Sequence, residues 1–215
     1  MKDNELIVEQ RSTEWFNMRL GKVTSSEISK IMGQEGKLSD GAKTYLLEKV
    51  AELLGGASQP QGMSKPAALE WGTELEPIAI EFYEKKTGTQ VKEASFVPYN
   101  DYYGGSPDGV VGEDGIIEVK CPFTFVNHFK HGLIKSAEDF KKAKPEYYWQ
   151  CVSNMLATGA KWCDFVSFDP RVNPDYIMFI YRLERDEKEI ELLLSRLELA
   201  NSYMNELKET FKNLV

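Results

Sequence analysis

Apolar residues recur at helical spacing near both ends of the chain and change to strand-like runs in the middle. A short helix is predicted over 14–19. A second follows Thr24, where Thr24 and Glu27 have the spacing of a capping box and Gly33 stands where the helix should stop. Asp40 is placed to cap a third, which carries Leu46, Leu47, Val50, Leu53 and Leu54 ahead of Gly55. The stretch 55–63, rich in Gly, Ser, Gln and Pro, reads as an exposed loop. A fourth helix is predicted over 66–87, stopping at Gly88. Pro77 should kink it or divide it in two, because proline lacks the N–H a helix needs.

From residue 91 the pattern changes. Residues 91–99 read as a strand, and 108–111 and 116–120 as a hairpin joined by a turn at Glu113, Asp114 and Gly115. A helix over 145–158 should end at Gly159. Strands are expected over 163–168 and 176–183. Between 186 and 213, apolar Ile190, Leu193, Leu194, Leu197, Tyr203, Leu207 and Phe211 return to helical spacing. The order predicts an α/β or α+β fold with one central mixed sheet flanked by helices. No repeat or interior linker divides the chain, so one domain over residues 1–215 is expected.

The 215 residues are 42% hydrophobic and 28% charged, enough for a packed core. The net charge of −8 argues against a protein that coats nucleic acid by bulk charge, but leaves room for a local basic groove. No apolar run approaches the ~20 residues of a membrane span. The first ten residues lack a signal peptide's apolar stretch. Cys121, Cys151 and Cys163 are odd in number and far apart, which disfavours a disulfide framework or a zinc site. With His128 and His131 as the two histidines, catalysis should rest on carboxylates and lysine in a soluble intracellular protein.

The informative stretch is Ser106-Pro107-Asp108, then Glu118-Val119-Lys120. Residues 118 and 120 leave one face of a strand, and the hairpin can bring Asp108 beside Glu118. Paired carboxylates suit Mg²⁺ or Mn²⁺, and an adjacent lysine can orient water or offset charge on phosphate. The same alternation also fits a solvated face, and Pro-Asp-Gly is an ordinary turn signal. The flanking Ile116, Ile117, Val119 and Cys121 favour a buried strand, where charges need partners or a metal. Glu76 is a further carboxylate candidate, or else forms a capping box with Thr73. Arg19, Ser25 and Ser26 at a helix start can hold phosphate, or be ordinary surface and capping residues. Ser106 reads as a phosphate hydroxyl or a turn serine, and Gln150 as a site or surface amide. Between Val119 and Gln150, Lys120, Lys130, Lys135, Lys141, Lys142 and Lys144 outnumber Glu138, Asp139 and Glu146, a modest basic excess.

Taken in order, these blocks resemble the bacteriophage lambda exonuclease or YqaJ-type viral recombinase family of the PD-(D/E)XK nuclease superfamily. The matching blocks are Trp15-Phe16-Asn17-Met18-Arg19-Leu20-Gly21 with Thr24-Ser25-Ser26-Glu27, then Trp71-Gly72 with Glu76, then Ser106-Pro107-Asp108-Gly109. Glu118 to Thr124, Gln150, Asp169-Pro170-Arg171 and Glu184 to Lys188 follow. The resemblance implies a restriction-endonuclease-like core. It implies a 5′→3′ exonuclease that degrades one strand of linear duplex DNA to 5′-mononucleotides, leaving a 3′ overhang for phage-type recombination. On that model two Mg²⁺ ions, replaceable by Mn²⁺, are held by Asp108, Glu118, the Val119 carbonyl and Glu76. Lys120 positions or activates water, and Gln150 joins the active site.

Arg19, Ser26 and Ser106 match positions that hold the 5′-phosphate, and Leu69 one that wedges the strands apart. The family also implies a homotrimeric ring, a single-strand annealing partner, no membrane, and a phage- or prophage-encoded protein in a bacterial cytoplasm. Many relatives carry a tyrosine three or four residues after the glutamine. Here Ser153 and Asn154 stand there, with Tyr147 or Tyr148 as possible substitutes. Two other readings keep the same core: an endonuclease cutting internally, and a non-catalytic DNA-binding module.

Overall fold

The computed structural model describes residues 8–34, 36–55 and 67–214. In chain order the elements are α1 (Thr13–Arg19), β1 (Val23–Thr24), a 3₁₀ helix (Ser25–Ile31), α2 (Ala42–Gly55) and α3 (Ala67–Thr87). Then come β2 (Val91–Lys92), β3 (Val97–Asn100), β4 (Tyr103–Gly105), β5 (Gly109–Val111) and β6 (Gly115–Lys120). The chain continues through α4 (Phe125–Gly132), α5 (Ala137–Ala143), α6 (Pro145–Thr158), β7 (Trp162–Phe168), β8 (Met178–Glu184) and α7 (Glu187–Lys212).

The fold is α+β with mixed sheets flanked by helices, as the periodicity predicts, but there are two sheets rather than one. Five strands run in the order β2-β5-β6-β7-β8, with β6 and β7 parallel and the other pairs antiparallel. A small sheet, β1-β4-β3, lies apart from it. The single strand expected over 91–99 is therefore split, because β2 and β3 belong to different ladders. Pro98 is tolerated because β3 is an edge strand, where a missing N–H breaks no ladder. The loop beyond Gly55 and the start of the fourth predicted helix lie outside the described residues. From Ala67 that helix runs unbroken through Pro77, which sits on its exposed side.

Alternation along the central strands sorts their side chains between two cores. Ile116, Cys163 and Phe165 face α6 and α7, in a core with Leu46, Val152, Met155, Leu193 and Leu197. Ile117, Val119, Val166 and Phe168 face α3, with Ala79 and Tyr83. Glu118 and Lys120 share the face of Ile116, so the period of two turns them toward α6. That helix is firmly ended: Gly159 takes a left-handed φ of 75°, and Arg185 Nη1 donates to the Met155 carbonyl at 2.7 Å. The Thr24–Glu27 capping box does not form. Thr24 makes no side-chain cap, and Glu27 accepts from Lys30 Nζ at 2.5 Å. Among the described residues no helix is long and apolar enough to cross a membrane.

On the α3 side, buried Asp164 accepts from Tyr83 Oη at 2.7 Å and from Arg182 Nε and Nη2 at 2.8 and 2.9 Å. Arg182 also lies over the Trp162 ring, 3.6 Å from its centroid. Asp164→Ala should lower stability by about 2 kcal/mol, reduced because Arg182 is half exposed and can turn to water. Urea unfolding checks this, and a loss within about 0.5 kcal/mol would show the carboxylate to be dispensable.

Candidate active site

A cleft of about 480 Å³ lies between α1, α3, α6 and the hairpin β5–β6. Arg19, Ser26, Leu69, Glu76, Ser106, Asp108, Glu118, Val119, Lys120 and Gln150 all line it. Residues from five separate blocks of sequence thus meet at one surface. The hairpin register, Gly109 opposite Ile117, sets Asp108 beside Glu118. Asp108 N–H donates to the Ile117 carbonyl at 3.1 Å, and Asp108 Oδ2 accepts from Val119 N–H at 2.7 Å.

Glu118 is buried. Its Oε1 accepts from Lys120 Nζ at 2.6 Å and its Oε2 from Asn154 Nδ2 at 2.9 Å. Burial raises the pKa of both Asp108 and Glu118, and the charge of Glu118 adds to the rise at Asp108. Burial alone would lower the pKa of Lys120, but Glu118 and Asp108 overcome it and hold the ammonium charged. Burial, then the charges of Glu76 and Asp108, push the Cys121 thiol up to about 12, so no thiolate nucleophile is available there. His128 and His131 stand outside the cleft, both bonded to Ser167 Oγ at 2.9 Å. The charged groups of this wall are carboxylates and lysine.

Among the described residues no three His, Cys, Asp or Glu side chains are grouped closely enough to hold an ion unaided. Glu76 is engaged by Arg11, whose Nη2 donates to its Oε2 at 2.6 Å. It makes no capping box either: α3 runs through Thr73, whose hydroxyl donates to the Leu69 carbonyl at 2.9 Å. The donor chemistry still suits a divalent cation. Burial raises the pKa of the two carboxylates even with the Lys120 ammonium beside them, and hard oxygen donors of this kind are what Mg²⁺ takes.

The other end of the cleft is cationic. Arg19 closes α1, donates from Nη2 to Ser26 Oγ at 3.2 Å, and lies over the Trp15 ring, 4.0 Å from its centroid. Burial pulls its pKa down to about 10, which leaves it charged at neutral pH. Trp15 Nε1 donates to Ser106 Oγ at 3.0 Å. One arginine, two hydroxyls and an indole therefore form a continuous group. The sequence reading assigned Trp15 no role, although its place four residues before Arg19 puts both on one helix face.

Gln10 and Arg11 were also missed, and Asn154 was singled out without a role. Gln10 lines the cleft and ties two backbones, donating to the Pro107 carbonyl at 2.8 Å and the Ala94 carbonyl at 3.3 Å. Gln150 lines the cleft, and so does Tyr147, whose ring centroid is 5.0 Å from Lys120 Nζ; Tyr148 is buried against Phe140 instead. Leu69 stands 51% exposed on α3. The basic stretch does not form one groove. Lys130, Lys142 and Lys144 line a separate hollow, and Lys141 pairs with Glu189 at 2.6 Å. Arg171 forms a two-pronged pair with buried Asp169 and covers the Trp71 ring at 4.2 Å, bracing the turn after β6 through the Phe123 carbonyl at 3.0 Å.

The fold is mixed α+β, and its cleft sets a carboxylate–lysine wall opposite an arginine–serine group. The profile of the YqaJ-like viral recombinase domain matches residues 14–161, and the chain belongs to that family. Among solved structures it is similar to an alkaline exonuclease (LHK-Exo) from Laribacter hongkongensis, at 34% identity and a TM-score of 0.76, covering 95% of this chain and 100% of that one. A structure of LHK-Exo in complex with dAMP matches at 35% identity, with the same TM-score and coverage. A phage related exonuclease from Haemophilus somnus 129PT shares the fold at 22% identity and a TM-score of 0.71, over 88% of this chain and 96% of that one. A search of curated proteins gave no match. The chain is thus a member of a viral recombinase-like alkaline exonuclease family.

Proposed function

We propose that this chain is a metal-dependent 5′→3′ exonuclease, a single nuclease domain that degrades one strand of linear duplex DNA to 5′-mononucleotides and leaves a 3′ overhang for recombination. The observation that carries the reading is one cleft with a carboxylate–lysine wall at one end and the Arg19–Ser26–Ser106 group at the other. An internal cutter has no need of a terminal-phosphate pocket. The dAMP bound by the Laribacter enzyme supports a 5′-mononucleotide as product.

Asp108, Glu118 and the Val119 carbonyl, with Glu76 beside them, would hold two Mg²⁺ ions, which supply an activated water and offset charge on the scissile phosphate. The Lys120 ammonium donates to the attacking water or to a phosphate oxygen, while Glu118 fixes its position. Arg19 gives the terminal phosphate a fork of donors, and the Ser26 and Ser106 hydroxyls complete the pocket. Each cut leaves a new 5′-phosphate that can occupy the same pocket. Gln150 offers an amide to the site, and exposed Leu69 can part the strands. A homotrimeric ring in the bacterial cytoplasm, working with a single-strand annealing protein, completes the proposal.

The test is digestion, with Mg²⁺, of linear duplex carrying 5′-phosphate or 5′-hydroxyl ends beside a covalently closed circle. Mononucleotide release from phosphorylated ends with the circle spared supports the reading. A nicked circle points to an endonuclease, and no cutting with Mg²⁺ or Mn²⁺ to a binding module. In the same assay Arg19→Ala should reduce the preference for phosphate over hydroxyl ends roughly 10- to 100-fold, the worth of a hydrogen bond between charged groups. An unchanged ratio removes Arg19 from the pocket.

A further inference from the structure

We infer that the adjacent pair Ser153–Asn154 on α6 sets the spacing between the terminal-phosphate pocket and the carboxylate centre, and thereby the length of each excised product. The inference rests on the exonuclease reading and deepens it. Asn154 is fully buried and uses both ends of its amide. Its Nδ2 donates to Glu118 Oε2 at 2.9 Å, and its Oδ1 accepts from Ser106 N–H at 3.1 Å. Ser106 belongs to the phosphate pocket through Trp15. One side chain therefore bridges the wall that cuts and the segment that holds the end.

Ser153, also fully buried, does the same for the other half of the pocket. Tyr103 Oη donates to the Ser153 carbonyl at 2.6 Å and lies 2.7 Å from Ser153 Oγ. The tyrosine has one proton and uses it on the carbonyl, so Ser153 Oγ donates to Tyr103 and accepts from Ser25 Oγ at 2.9 Å. Ser25 precedes Ser26, which bonds Arg19. Glu118, Ser106 and the Ser25–Ser26 turn thus hang from one turn of one helix.

The packing leaves no slack. A Cβ on Gly105 would lie 2.8 Å from Asn154 Oδ1, 2.8 Å from Ala157 Cβ and 3.0 Å from Ser25 Oγ. An aspartate at 154 would lose the donor and set a second charge against Glu118, so the amide is chemically specified. A fixed distance between the held phosphate and the cutting centre selects one phosphodiester, and hence one product length.

The experiment measures product length, kcat, KM and melting temperature for Asn154→Ala on 5′-phosphorylated and 5′-hydroxyl linear duplex. Expected is a folded variant with KM within about twofold of the parent, while kcat falls roughly 10- to 100-fold, the cost of a misplacement near 1 Å. The phosphate preference should shrink, and di- or longer nucleotides should appear. Wild-type product length and preference at a reduced rate would overturn the inference, leaving Asn154 a merely structural residue. Should Asn154→Ala not fold, Ser153→Ala removes one hydroxyl and carries the same test. If the unmodified chain itself ignores the 5′ end, the exonuclease reading fails first, and the control shows it.

Discussion

Lys120→Ala is expected to fold, to bind duplex DNA, and to lose nuclease turnover roughly 10³-fold, the scale of losing one donor aimed at developing charge. Lys120 is held by Glu118 at 2.6 Å and sits over the Tyr147 ring. Burial works against its charge, but the two carboxylates prevail, so at neutral pH it is a donor rather than a free base. Truncation also takes the ammonium from Glu118, leaving Asn154 as that carboxylate's remaining side-chain partner, and the variant should melt a few degrees lower. A gel-shift assay without Mg²⁺ separates binding from cutting. Turnover within tenfold of the parent would remove Lys120 from the chemistry.

How much of this site was legible follows from which contacts are local. Glu118 and Lys120 share a face because a strand alternates, and Asp108 joins them because the hairpin turn is short; both facts lie within one stretch of sequence. The helix at 145–158 was equally plain, with Pro145 at its start and Gly159 at its end. The bonds that organise the site are of another kind. Asn154 reaches Glu118 across 36 residues, Arg11 reaches Glu76 across 65, and Trp15 reaches Ser106 across 91. No periodicity encodes such pairs, because packing of distant elements decides them. The second sheet was hidden for a related reason. β1 has two residues and β4 has three, including Gly104 and Gly105, too little to show a period.

The departures at Ser153 and Asn154 show what the sequence could flag without explaining. Both positions stood out because the family resemblance implies a tyrosine at one of them. In the fold Tyr103, from β4, donates its hydroxyl to the Ser153 carbonyl. Asn154 meanwhile takes the carboxylate.

Asp108→Asn should abolish cutting and yet stabilise the metal-free chain. The substitution keeps the shape and the oxygen that accepts from Val119 N–H, but removes a charge that burial and Glu118 both disfavour. A carboxyl with a higher pKa in the folded than in the unfolded chain costs stability once the pH passes the unfolded value, about 3.9. The cost is complete above the folded-state pKa and declines as the pH falls from there to the unfolded value. In chelator at neutral pH the variant should therefore melt higher, by about 2–4 °C for each kcal/mol recovered in a chain of this size. The gap should close on acidification toward about 4, where the unfolded carboxyl also binds its proton. Saturating Mg²⁺ should reverse the order: an ion at 100 times its Kd adds about 2.7 kcal/mol to the parent and little to the variant. Equal melting in chelator would show that the Asp108 charge is already compensated, and an equal response to Mg²⁺ would place the ion elsewhere. On the proposed reading, the carboxylate pair trades stability of the empty cleft for affinity toward a divalent cation.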